Sequence, residues 1–355
     1  MEQLIGVIGV VLVFGAIIAV HEFGHFIFAK MSKMGVHEFS LGFGPALWKR
    51  EYHGTLYALR CIPLGGYVRI AGMEPGEDAY QADGFETKSF LAKFSTLLAG
   101  VFMNFALALI VLIIMGLSVG FPITRIGEVL DKSPAQYAGL QRGDVLVRVG
   151  GTRDPAPDET SDTISNSKHS VLLVIERQGN RIPIRLTPVR FPGDNALHIG
   201  ITIEPAFQKT PPGQAITRGV ASVYSSTSKM LGGLWLLITG HISFSSGQVM
   251  GPPGIIHIID LVSQQALRSK IHMAKFLLLF ALISMNVGLI NLLPFPALDG
   301  SRLLFLVVEK IIRRPFNKQI EAIVHTVGLA LLLGFIVYIS ILDIIHWIHP
   351  LKGAH

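Results

Sequence analysis

Charge is scarce in this chain. Asp, Glu, Lys and Arg make up 15% of its 355 residues, against about 25% in an ordinary soluble domain. So thin a supply cannot coat a globular protein of this length. Cysteine occurs once, at Cys61, which excludes an internal disulfide and any cysteine-based metal cluster. Its expected role is packing among apolar neighbours. Internal repeats and low-complexity tracts are absent. The formal charge of +6 is not gathered into a basic stripe with interleaved aromatics, so the pattern speaks for no nucleic-acid partner.

Apolar residues stand where charge does not, at 50% of the chain. Four runs, 4–29, 97–121, 273–293 and 323–348, reach the roughly 20 residues needed to cross a bilayer. The first lacks the basic lead-in of a secretory signal and exceeds the length of its apolar segment, so it reads as a retained helix. Lys30, Lys33, Lys49, Arg50, Arg60 and Arg69 follow the first run, and Arg302, Lys310, Arg313, Arg314 and Lys318 follow the third. By the positive-inside rule both of these loops face the cytoplasm, and the termini with 122–272 face outward.

Between the runs the pattern changes. Residues 38–73 have strand character: the β-prone stretches "TLYALRCI" and "GYVRIAG" flank Pro63, Leu64 and Gly65, which predicts a hairpin or tight loop there. Residues 74–90 are polar and expected to be exposed. From 122 to 207 short strands alternate with turns. A hairpin is expected at Gln178, Gly179 and Asn180, with Ile182, Ile184 and Leu186 alternating along its second arm. "TPPGQ" (210–214) reads as a linker, 215–242 as an interfacial helix and "GPPGIIHIID" as a turn. The expected division is a membrane part over 1–121, a β-rich domain over 122–207, a linker with interfacial helices over 208–272 and a second membrane part over 273–355.

The sparse charge makes one place conspicuous. "IIAVHEFGHFIFAK" (17–30) sets His21, Glu22 and His25 inside the first apolar run, where a carboxylate costs about 2.5–3.5 kcal/mol even on lenient insertion scales. Helical spacing puts the two histidines on one face, one turn apart. This HExxH pattern suits two imidazoles holding one zinc ion, Zn2+, with Glu22 beside them to take a proton from the attacking water. A catalytic zinc usually takes a third protein ligand, and "NLLPFPALDG" (291–300) offers Asp299 at the end of the third run. By the topology above, both segments fall toward the cytoplasmic ends of their helices. The remaining histidines have no partner at metal spacing and are expected to be structural or solvated.

HExxH in the first membrane helix, Asn-x-x-Pro-x-Pro-x-Leu-Asp-Gly in the third and a β-rich insert between the second and third resemble the site-2 protease family of intramembrane zinc metalloproteases. Its bacterial regulator-of-sigma-E protease branch is the nearest in pattern. The resemblance implies His21, His25 and Asp299 as zinc ligands, Glu22 as general base, and Asn291 as a residue that binds the substrate backbone. Asn104, in "GVFMNF" one turn after Gly100, fits the family's Gly-x-x-x-Asn element and is placed with Asn291 as substrate-binding. Val101 stands where the family often has proline. "GFGP" (42–45) and "PLGGYVRIAGM" (63–73) resemble the family's membrane-associated β-segment. An exposed strand edge there, within 56–70, could pair with an unwound substrate backbone.

"SPAQYAGLQRGDVLVRVGG" (133–151) followed by the hairpin resembles a bacterial PDZ domain. The polar stretch "TRDPAPDETSDTISNSKH", where a groove-lining helix belongs, has Ile164 as its one apolar side chain beyond proline and alanine. That speaks against binding of peptide tails and for a filter by size. The implied fold is a polytopic α-helical membrane protein of about four transmembrane helices, with a membrane-associated β-hairpin segment and an inserted extracytoplasmic PDZ-like domain. The implied setting is a bacterial inner membrane. The implied substrates are transmembrane segments of single-pass proteins, such as anti-sigma factors or leftover signal peptides, met within membrane lipid. Two alternatives stay open on the sequence: a membrane zincin with a glutamate third ligand, and a catalytically silent scaffold.

Overall fold

The computed structural model describes residues 2–73, 82–155, 157–167, 169–191, 196–241, 250–314 and 316–348. The chain begins with α1 (Glu2–Met31), β1 (Val36–Tyr52), β2 (Thr55–Ile70) and α2 (Phe90–Ser118). There follow β3 (Phe121–Val129), α3 (Pro134–Tyr137), β4 (Val145–Val149), β5 (Thr152–Arg153), α4 (Pro157–Ser165), β6 (Val171–Arg177) and β7 (Asn180–Leu186). After β8 (Val189–Arg190), β9 (Leu197–His198) and β10 (Ile201–Gln208) the chain is helical: α5 (Pro212–Ile238), α6 (Pro252–Ala266), α7 (Lys270–Leu292), α8 (Asp299–Ile312) and α9 (Lys318–Ile348). Two compact units result, one from Met1–Ile114 with Ile216–His355 and one from Met115–Ala215.

In the first unit, α1, α2, α7 and α9 are each long and apolar enough to cross a membrane, one for each run in the sequence. Residues 119–121 of the second run leave the helix, because Phe121 already pairs in β3. Ala29, Leu97, Leu303 and Leu306 share one buried cluster with Val36, Ile70 and Phe85. This cluster packs the end of α1, the start of α2, α8 and both ends of the β-segment together. Phe85 contradicts the expectation of an exposed 74–90. Residues 74–81 of that stretch lie outside the described residues.

The sequence "GPPGIIHIID" is not a turn but the start of α6. Proline is tolerated in a first helical turn, whose N–H groups have no partner within the helix. The cap residue Gly251 offers no side chain, so the helix start is capped from elsewhere: Asp343 of α9 accepts the N–H groups of Gly251 and Gly254, both at 2.9 Å. Ile259 of α6 packs with Val13 and Ile17 of α1, bordered by Phe276, Phe280 and Ile283 of α7. α6 is therefore part of the helical body.

The β-segment also departs from expectation. The chain reverses at His53 and Gly54, both at positive φ (46° and 69°), and again between Leu59 and Gly66, because 56–59 and 66–69 run in opposite directions against 38–41; the loop expected at 63–65 lies in that second reversal. The first half of β1 is paired on both sides. Val36, Phe39, Ser40 and Leu41 face Ile70, Val68, Tyr67 and Gly66 in antiparallel register, while Glu38 to Leu41 face Leu56 to Leu59 in rising order. The stretches "TLYALRCI" and "GYVRIAG" thus do not pair with each other, because β1 lies between them. Arg60 ties the three stretches together: its guanidinium reaches Glu38 at 2.6 Å, Ser40 at 2.7 Å and the Tyr67 hydroxyl at 2.9 Å. Burial pushes the Glu38 carboxyl up, but the hydrogen bonds from Arg60 and Tyr67 outweigh it and hold its pKa below the usual range. Among the described residues, 66–70 pairs in the sheet through β1 on one side, and the second half of β1 through β2 on one side. Cys61, expected to pack, is exposed.

The second unit is built on a sheet of order β10-β3-β4-β6-β7, with β5 beside β4. The expected hairpin joins β6 to β7, with Gln178 and Gly179 both at positive φ, 52° and 81°, as a two-residue primed turn requires. Ile126, Leu146, Leu173 and Ile175 fill the core, and Ile164 is the α4 residue that joins them. Arg177 makes a two-pronged pair with the buried Asp144, 2.7 Å on each arm.

Removing the Asp343 cap tests how α6 is held. Asp343→Ala strands two helix-start N–H groups and should destabilise the protein by about 1–2 kcal/mol, read as a lower melting temperature in detergent. Asp343→Asn, which keeps an acceptor oxygen, should lose less.

Candidate metal centre

Helical spacing on α1 turns the His21 and His25 rings toward one point, with centroids 4.9 Å apart and edge to face. Both side chains are buried, 6% and 8% exposed. α2 comes close enough to shut them in because of small residues. A Cβ on Gly24 would lie 2.6 Å from the Ala99 carbonyl oxygen, and one on Gly100 would lie 2.4 Å from His25 Nε2 and 2.7 Å from His21 Nε2. His25 Nδ1 lies 2.8 Å from the Thr96 carbonyl oxygen, an acceptor that holds the proton on Nδ1 and leaves Nε2 free.

The third group arrives from far along the chain. α7 ends at Leu292, and Asp299 opens α8 as its first residue. Between them Ala297 takes φ +79°, and its N–H donates to His325 Nδ1 of α9 at 3.1 Å. The chain then folds back so tightly that a Cβ on Gly300 would lie 2.3 Å from the carbonyl oxygens of Leu292 and Leu293. That contact explains the glycine of the Leu-Asp-Gly motif. Asp299 Oδ2 ends 3.0 Å from His21 Nε2 and 3.2 Å from His25 Nε2, and the two Nε2 atoms are 3.2 Å apart. Two imidazole nitrogens and one carboxylate oxygen thus form a near-equilateral triangle able to hold a metal ion.

Glu22 is half-buried on α1 beside the 66–70 edge of β2. The backbone amide of Val68 is within hydrogen-bonding reach of its carboxylate, and a Cβ on Gly66 would lie 3.3 Å from Glu22 Cγ. Asn291, near the end of α7, is half-buried. Ser284, Gly288 and Asn291 stand at i, i+4 and i+7, so they share one face of α7. Ser284 and Gly288 meet Asn104: the Ser284 hydroxyl donates to the Asn104 carbonyl at 2.9 Å, and a Cβ on Gly288 would lie 3.2 Å from Asn104 Cβ. Asn104, expected at the substrate, is fully buried, and its side-chain amide lies 3.2 Å from His21 Nδ1.

The sequence brought His21, Glu22, His25 and Asp299 to attention, and the structure brings them together. It missed Thr96, whose contribution is a backbone carbonyl and leaves no trace in residue type. His325, expected with the remaining histidines to be structural or solvated, is structural: it accepts the Ala297 N–H.

The peptidase family M50 profile matches residues 9–335. Zinc metalloprotease RasP of Oceanobacillus iheyensis is 30% identical, with 95% of this chain and 98% of the relative covered. CPE1693 of Clostridium perfringens is 33% identical over 96% of this chain and 98% of its own length. Cj1068 of Campylobacter jejuni is 34% identical over 94% and 92%. With a family match over most of its length and relatives covering nearly all of it, the chain belongs to peptidase family M50 and is a site-2-type metalloprotease.

Proposed function

We propose that this protein is an intramembrane zinc endopeptidase that cuts transmembrane segments of single-pass membrane proteins. The observation that carries the reading is the meeting of His21 Nε2, His25 Nε2 and Asp299 Oδ2, with Glu22 beside them, inside a bundle of apolar helices. The donor set fits the metal. Bonds of about 2.0–2.1 Å around a tetrahedral zinc set its ligands roughly 3.3 Å apart, close to the 3.0–3.2 Å separations here. An aspartate as third ligand also separates this site from zincins that use glutamate. His21, His25 and Asp299 would hold the ion, leaving its fourth position open.

When bound, zinc supplies a water that ionises near neutral pH and polarises the scissile carbonyl. The chain supplies the rest. Glu22 accepts the proton of the attacking water and passes it to the leaving amide nitrogen. Asn291, half-buried on the α7 face that turns toward α2, fits the role of hydrogen-bonding the substrate backbone. The edge of β2 next to Glu22, paired with β1 on its other side, would give an unwound substrate a strand to pair with. This narrows the pairing element from 56–70 to 66–70, since 56–59 is already paired on both sides.

Topology follows from the charge pattern: termini and the β-rich unit outside a bacterial inner membrane, metal site toward the cytoplasmic side. We read the second unit as PDZ-like. Its α4 turns its large apolar side chain, Ile164, into the core, which supports a filter by size over binding of peptide tails. Anti-sigma factors already clipped outside and leftover signal peptides are the proposed substrates, and the role is signalling or clearance.

Four variants test this reading on purified protein with a model transmembrane substrate. Glu22→Gln should keep bound zinc and lose cleavage by at least about 100-fold, while Asp299→Ala should lose zinc as well. Full cleavage by the first variant, or wild-type zinc in the second, would remove the residue from its role. Gly100→Ala drives a methyl group against both ligating nitrogens and should lower zinc content in metal analysis. Val68→Pro removes the edge amide that reaches Glu22 and should slow cleavage with zinc retained; unchanged turnover would sink any role of this edge in the reaction.

A further inference from the structure

A histidine that binds a metal through Nε2 keeps its proton on Nδ1, so that nitrogen must donate to something. His25 meets this condition at the Thr96 carbonyl oxygen, 2.8 Å away. For His21 the neighbour of Nδ1 is the side-chain amide of Asn104, with Nδ2 at 3.2 Å. Drawn that way, a donor faces a donor, and Asn104 Oδ1 is left buried with no partner. Both problems share one remedy. Amide oxygen and nitrogen occupy nearly the same positions, and which is which follows from the hydrogen bonds. Turned by 180°, Oδ1 accepts from His21 Nδ1–H, and the orphaned oxygen disappears.

We propose that Asn104 is a positioning residue of the metal centre: its Oδ1 accepts the Nδ1 proton of His21 and so fixes the ring and tautomer in which Nε2 points at Asp299 and His25. This rests on the reading of the triangle as a zinc site and gives Asn104 a partner other than the substrate. Its surroundings suit such a role. Asn104 is 0% exposed, its carbonyl is held by Ser284 at 2.9 Å, and Gly288 packs against its Cβ. On the same face of α2, one turn earlier, Gly100 leaves room for the imidazoles. One helix thus both clears the space for the ligands and sets the orientation of His21.

The test compares Asn104→Leu with Asn104→Asp, both close to asparagine in size, on the full chain in detergent. Zinc affinity is read by competition with a chelator and the zinc-free melting temperature alongside. Asn104→Leu removes the acceptor and should weaken zinc by about 10–100-fold with little change in zinc-free melting. Asn104→Asp can only accept and should stay within a few-fold of wild type. A leucine variant with wild-type affinity overturns the proposal, and so does an aspartate variant as weak as leucine. A lower zinc-free melting temperature with unchanged affinity would mean packing alone. If Asn104→Leu does not fold, the aspartate variant decides: retained affinity supports the proposal, lost affinity overturns it. Failure of the wild-type chain to bind stoichiometric zinc would instead defeat the site reading itself.

Discussion

Two imidazole nitrogens and one carboxylate oxygen meet within 3.0–3.2 Å among helices that otherwise offer little but hydrocarbon. The rest of the membrane unit is arranged to permit that meeting. Ionisable groups at such depth are costly alone and tolerable when they face one another or a cation. Bringing them together demands close approach of three stretches of backbone, and each approach is bounded by a residue without a side chain. Gly24 admits α2 to α1, Gly100 makes room for the rings, and Gly300 lets the Asp299 turn close onto the end of α7. None of these contacts is strong. Together they decide whether the polar groups can reach each other at all.

The β-segment answers a different constraint. Backbone polar groups away from water must be satisfied by the protein, and an exposed strand edge is normally a liability. Here β1 and β2 fold on themselves so that 38–41 is paired on both sides, and the Arg60, Glu38 and Tyr67 network fastens the layers. Of the two edges that remain, the one at 66–70 lies against Glu22. In the proposed reading, the edge at 66–70 would turn that liability into a recognition surface.

What could be read in advance follows the same physics. Helical periodicity fixes i and i+4 on one face whatever surrounds the helix, so His21 and His25 were legible as a pair, and apolar length made four spans legible. Asp299 was legible only through the motif around it. Sheet order was not: "TLYALRCI" and "GYVRIAG" look like two arms of one hairpin, and nothing local says that 38–41 comes between them. The start of α6 was misread for a related reason, since its two prolines signal a break and its cap comes from Asp343, about ninety positions later. Asn104 stood on the right helix face, but its neighbour depends on how α2 meets α1 and α7.

The helix α7 links these features. Ser284 and Gly288 hold Asn104, Asn291 lies on the same face one turn further along, and the chain then runs through the Ala297 turn to Asp299. One rigid element therefore controls the orientation of His21 through Asn104, the placement of Asn291, and the position of Asp299. A rotation or shift of α7 cannot disturb one of these without disturbing the others. His325, by accepting the Ala297 N–H from α9, adds the last transmembrane helix to the same assembly. A site split across nearly the whole sequence thus behaves mechanically as one piece.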